Sequence, residues 1–187
     1  MDQTLRRLKN GISSFVEGIR HGTVSKDDDE KINQIFGLLI NMAAEVYRSP
    51  DVKLFYPKNN QNSPYVYTEN EKLYVPLYSC REEIKTGQLE NLSEVTFKEV
   101  CDYVYENMCN YEMLDNPQYV LERGIGFSEL AEYADKNPRY EGIILDCEGQ
   151  YPFSFEGWVL KAIVFKGMGV DSFNVIDAET GEKKYEI

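Results

Sequence analysis

Apolar residues in "SKDDDEKINQIFGLLINMAAEVYRSP" recur at three- and four-residue steps, at Ile32, Ile35, Phe36, Leu39, Ile40, Ala43, Val46 and Tyr47. That spacing lines one face of a helix. Asp27 with Glu30 three residues on has the pattern of a capping box, the neighbouring aspartates suit the positive end of the helix dipole, and Pro50 stops the run. Upstream, "QTLRRLKNGISSFVEGIR" repeats the pattern more weakly and is expected to break near Gly11 and Gly18, since each glycine costs about 1 kcal/mol relative to alanine. Residues 1–50 therefore predict an N-terminal helical extension, its first helix docked on its second.

After Pro50 the period falls to two. "DVKLFYP" and "YVYTENEKLYVPLY" predict strands, the second stretch folding into a hairpin about the polar "TENE". In its second arm Leu73, Val75 and Leu77 face one way and Tyr74, Pro76 and Tyr78 the other. Pro76 has no N–H to give a ladder, which places this strand at a sheet edge or gives it a bulge. Ser79 with Glu82 reads as a capping box that opens a helix over "CREEIKTG". Thr96 with Glu99 opens another over "TFKEVCDYVYENMC", with Phe97, Val100, Cys101, Val104 and Met108 on one face. "FSELAEYADKNP" predicts a third, ended by Asn137 and Pro138.

"EGIILDCEGQYPFSF" predicts a buried strand, a turn at Glu148 and Gly149 and then another strand. "GWVLKAIVF" fits both periods, and helix is the preferred reading. The tail predicts a hairpin about "AETGE", with Phe173, Val175, Tyr185 and Ile187 as its apolar positions. Hairpins interleaved with helices imply an α+β fold with an antiparallel or mixed sheet over residues 51–187, forming one compact unit with the helical extension.

The 187 residues suffice for a sizeable core, and the four cysteines, Cys80, Cys101, Cys109 and Cys147, contain no C-x-x-C pair. Reduced thiols in a cytoplasmic protein are the expectation. The start of the chain lacks the apolar stretch of a signal peptide, and the longest apolar run falls far short of the roughly 20 residues that span a bilayer. Net charge is −12. Residues 1–26 carry Arg6, Arg7, Lys9, Arg20 and Lys26 against Asp2 and Glu17, so the acid lies in the rest of the chain. Such a body argues against nucleic acid as a ligand, because phosphate recognition needs cations; its first reading is solubility, and its sharper one a basic protein partner.

Candidate chemistry is sparse. His21, the only histidine, stands in a glycine-flanked connection with no motif to orient it as a base. Cys80 at the first turn of a helix would have a lowered thiol pKa, and it is the candidate nucleophile for an enzyme reading. Asp146 and Glu148 about Cys147, and Asp171 with Asp177, are the candidate carboxylates for the same reading. "GIGFSE" and "GMGVDS" lack the third glycine of a dinucleotide fingerprint, and "DAETGE" lacks the ligand pattern of a calcium loop. "NLS" at Asn91 is a glycosylation sequon that a cytoplasmic protein does not use. Catalytic residues, metal ligands and cofactors are therefore expected to be none.

Aromatic contact surface is what the chain has in excess: six of its 14 tyrosines lie between Tyr47 and Tyr78. Tyr74, Tyr78 and Trp158 are the candidate partner contacts, since such rings offer a large area with a polar tip. The predicted hairpins also offer strand edges to another copy of the chain.

The order of "LYVPLYSCREEI", "TFKEVCDYV" and "YEGIILDCEGQYPFSF" resembles the N-terminal domain of the SseB family, named for enhanced serine sensitivity and also labelled type III secretion SseB-like. The resemblance covers roughly residues 72–165. It implies a bacterial α+β domain without established catalysis, and it brings no catalytic residues. Together these readings predict a non-enzymatic protein-interaction module, with an acidic immunity protein against a basic toxin and a small enzyme using Cys80 or clustered carboxylates as alternatives.

Overall fold

The computed structural model describes residues 1–25, 28–58, 66–85, 92–116, 118, 126–172, 174–176 and 183–186. The expected cap at Asp27, the helix stop at Gly87, the sequon at Asn91 and the tail positions Phe173, Asp177, "AETGE" and Ile187 lie outside them.

Helix α1 spans Gln3–Arg20, with the Asp2 carboxylate accepting from the Thr4 N–H at 2.7 Å. It runs unbroken through Gly11 and Gly18, contrary to the sequence expectation. The glycines serve close approach: a Cβ at Gly11 would sit 3.0 Å from Leu39 and Met42, and one at Gly18 would sit 2.8 Å from Val24. Helix α2 spans Asp29–Tyr47 and is capped by Asp28, which accepts from the Lys31 N–H. Its core face includes Leu39, Ile40, Ala43, Val46 and Tyr47, all of which the period named.

Strand β1 (Lys53–Pro57) pairs antiparallel with β4 (Leu92–Thr96), a strand the pattern reading missed. The hairpin β2 (Tyr67–Glu69) and β3 (Lys72–Leu77) turns through Asn70 and Glu71, both at positive φ, as a tight two-residue hairpin requires. β3 then runs parallel to β5 (Gly142–Leu145), which pairs antiparallel with β6 (Phe153–Glu156). The result is a mixed four-stranded sheet in the order β2-β3-β5-β6.

β3 is thus interior, not an edge, and Pro76 is tolerated for a local reason. The β2 pairing ends at Tyr74, and the next bonds on that side are those of Tyr78 with Phe55 of β1, at 2.8 and 2.9 Å. Pro76 falls in the gap between two short partners, where a missing donor costs nothing.

The predicted helix after Ser79 is a single 3-10 turn, Arg81–Glu83, with no side-chain cap. Thr96 and Glu99 do form the expected reciprocal box at the head of α3 (Phe97–Asp115). α4 spans Phe127–Lys136 and α5 spans Gly157–Gly167, while β7 (Asn174–Ile176) and β8 (Lys183–Glu186) form the expected tail hairpin. α5 is the ambiguous segment of the sequence, and it is helical because its neighbours surround it. It contacts α2, α3, β5 and β6, and Val159, Leu160, Ala162, Ile163 and Val164 are all buried.

One buried cluster joins Leu5, Leu8 and Ile12 of α1 and the α2 face to Val75, Leu77, Ile143, Phe155 and Ile163. The first fifty residues therefore belong to the core, and the fold is α+β. A relay of rings, Phe15, Phe36, Phe153, Phe155 and Phe97, crosses it at centroid spacings of 5.1–6.2 Å. Among the described residues no helix is long and apolar enough to cross a membrane.

Candidate functional site

A dense charged cluster forms where β3 and β5 end side by side. Leu77 pairs with Leu145, so Ser79 and Asp146, just beyond them, emerge together. Asp146 adopts a φ of 51°, a left-handed conformation that aspartate tolerates better than most residues. Its carboxylate turns back to accept from the Ser79 N–H at 2.7 Å and the Ser79 hydroxyl at 2.8 Å. From α1, Lys9 reaches across to the Ser79 hydroxyl at 2.7 Å, Glu83 at 2.8 Å and Asp146 at 3.0 Å. The Asp146 side chain is only 5% exposed.

Lysine, serine and aspartate together invite comparison with serine-lysine catalysis, which needs a neutral lysine as base. Burial alone would lower the Lys9 ammonium, but its bonds and attraction to Glu83 and Asp146 overcome that and raise it above its ordinary value. The serine hydroxyl is donated to a carboxylate, and the lysine stays charged. This arrangement fastens α1 to two strand ends.

Its formation also corrects the sequence reading of Ser79, whose donors go to Asp146 and not to a helix. Cys80 consequently does not head an α-helix. Burial and a bond to Glu82 push its thiol up, against lowering by Ser79 and Lys9. Cys147 is likewise pushed up by burial, although its 3.2 Å bond with the Tyr78 hydroxyl pulls the other way. Cys101 is fully buried. Glu148 accepts from the Lys85 N–H at 2.7 Å, and His21 caps α1 as an exposed residue 2.8 Å from Glu17. Asp171 is exposed. No group of three potential ligands that could hold a metal ion occurs among the described residues.

Two of the three expected contact residues are interior. Tyr78 is 0% exposed and Tyr74 4%, because both faces of β3 are covered. The Tyr74 hydroxyl donates to Glu156 at 2.7 Å, and burial together with that bond pushes the phenol well up. Neither ring can anchor a partner.

Trp158 is different. Half-buried at the start of α5, it stands 6.2 Å from Phe36 at the rim of an open cleft of about 480 Å³. Phe153, Pro152, Ser154, Glu156, Gly157 and Val159 complete the lining. Phe153 points into the core, whereas Ser154 and Glu156 point to the opposite face of β6. The cleft therefore wraps the outer edge of that strand, which no described strand covers.

The ladder phase fixes which backbone groups face this edge. The Asp146 N–H bonds to Leu77 of β3, so the even-numbered residues of β5 turn towards β3. Ile143 and Leu145 then bond to Phe155 and Phe153, leaving the N–H and C=O of Ser154 and the N–H of Glu156 directed outward. No described residue bonds them. Pattern reading named Trp158 but neither Phe153 nor the edge, because strand order is not visible in a single sequence. No family model matches the chain, and no curated protein or solved structure matches it.

Proposed function

We propose that the chain is a non-enzymatic protein-interaction module of a bacterial cytoplasmic protein, a reading with which the resemblance to the SseB N-terminal domain, a domain without established catalysis, agrees. The observation that carries this reading is the open aromatic cleft along a strand edge that no described strand covers, in a chain of net charge −12. Aromatic anchors beside unsatisfied backbone groups suit a protein partner, and the negative field suits a basic one. An immunity protein that captures a basic toxin is a specific form of the same reading. Against the enzyme alternative stand the raised Cys80 thiol and the mutual pairing of Lys9, Ser79, Glu83 and Asp146.

Affinity capture by the tagged chain from lysate of its own organism, at low and high salt, tests the reading. The expected result is a stoichiometric basic protein that is released at high salt. Selective alkylation of Cys80 at neutral pH, or turnover lost on Cys80→Ser, would overturn it in favour of an enzyme.

A further inference from the structure

We propose that the outer edge of β6 takes up an extended segment of the partner by strand addition. One apolar side chain of that segment seats between Phe36 and Trp158, and a lysine or arginine lies beside Glu156. This deepens the interaction reading and rests on it.

Three observations select an extended peptide as the occupant. Ser154 offers an outward donor and acceptor, and Glu156 offers a further donor two residues on, roughly 7 Å away along a strand. Another extended backbone matches that spacing, whereas a helix keeps its own backbone groups satisfied. The edge is bounded by Pro152, which has no N–H, and by Gly157, where a φ of 53° turns the chain into α5. A segment of three to five residues therefore suffices.

Short edges of this kind are often simply protective. Here the strand also borders an apolar recess on its core side, and strand addition places alternate side chains on that face.

Charge decides between a foreign segment and another copy of the chain. Among the described residues the cleft lining includes one carboxylate, Glu156, and no lysine or arginine, although Lys72 lies 3.5 Å from Glu156 at its margin. Joining two copies of this chain would set −12 against −12, whereas a basic segment meets attraction.

The test is selection of displayed random octapeptides against the full chain, followed by titration of the enriched peptide in synthetic form. The expected peptide alternates apolar and polar residues and carries lysine or arginine. Binding slows exchange of the Ser154 and Glu156 amide protons. Ser154→Pro weakens binding about tenfold or more, because it removes an outward donor that no described residue accepts from. Trp158→Ala has a similar effect, and Leu38→Ser, at an exposed position on α2, has none.

N-methylation of the peptide at alternate amides probes the same bonds without altering the chain: one register abolishes binding and the other leaves it intact. Failure of any peptide to enrich overturns the proposal. So does a peptide that leaves the Ser154 and Glu156 amides unprotected, or one that tolerates methylation in both registers. A lysate partner held equally well by Ser154→Pro removes strand addition but spares the module reading, while absence of both peptide and partner removes both.

Discussion

Around Asp146 the chain gathers an ammonium, two carboxylates and a hydroxyl, each bonded to another member of the group. A short way along, at Ser154, backbone groups and aromatic faces stand towards solvent. The Asp146 cluster has the residues of a reactive centre, yet all its bonds go to holding α1 in place. At the Ser154 edge no described residue takes up the outward backbone groups. Reactive groups therefore mark a site only when their bonds are left for a ligand to make.

The greatest loss is expected from emptying the cluster. Asp146→Ala leaves the Ser79 N–H and hydroxyl without their acceptor and the Lys9 ammonium with Glu83 as its remaining carboxylate, and is expected to cost about 3–5 kcal/mol, read from urea denaturation. If the loss were below about 1 kcal/mol, the cluster would not be the structural member of this pair.

Lys9→Met follows, at about 2–3 kcal/mol, discounted because the Lys9 side chain is 23% exposed. Its pH dependence has a definite sign. Folding raises the Lys9 pKa, so its contribution is complete below the ordinary lysine value of 10.5 and is lost as pH rises through the higher folded value. The stability gap between wild type and Lys9→Met should be constant through neutral pH and close at strongly alkaline pH, measured as paired denaturation curves.

Trp158→Ala probes the open edge instead. A half-buried ring over an open cleft should contribute only about 1 kcal/mol to stability, so melting should shift little while peptide affinity falls. The mildest change concerns Cys80. Its alkylation at neutral pH should run about threefold or more slower than that of an unstructured thiol, followed by mass spectrometry.

Much of the fold was legible because its cues are local. The α2 face, the Thr96–Glu99 box, the β5–β6 hairpin and the helical reading of α5 each rest on spacing within one segment. The errors arose where a long-range partner prevailed over a local one. Ser79 and Glu82 had the spacing of a cap, but Asp146, 67 residues away, took both serine donors. Gly11 and Gly18 read as breaks because nothing local shows that α2 and Val24 crowd them. Tyr74 and Tyr78 read as exposed because alternation predicts one polar face, and β3 has two covered ones.

For the site, Trp158 alone was singled out, as an aromatic contact residue, and Phe153 was not. The edge they border depends on β3 and β5 pairing in parallel across most of the chain's middle, a fact of topology.

The reach of Lys9 has a consequence for how the protein is made. α1 is synthesised well before Asp146, the residue on β5's end to which Lys9 fastens it. At about 5–20 residues per second, α1 waits on the order of ten seconds before its fastening can close. Through that interval α2, already made and packed along α1, is available to cover Leu5, Leu8 and Ile12, so the pairing of the first two helices can shelter them until the fastening closes.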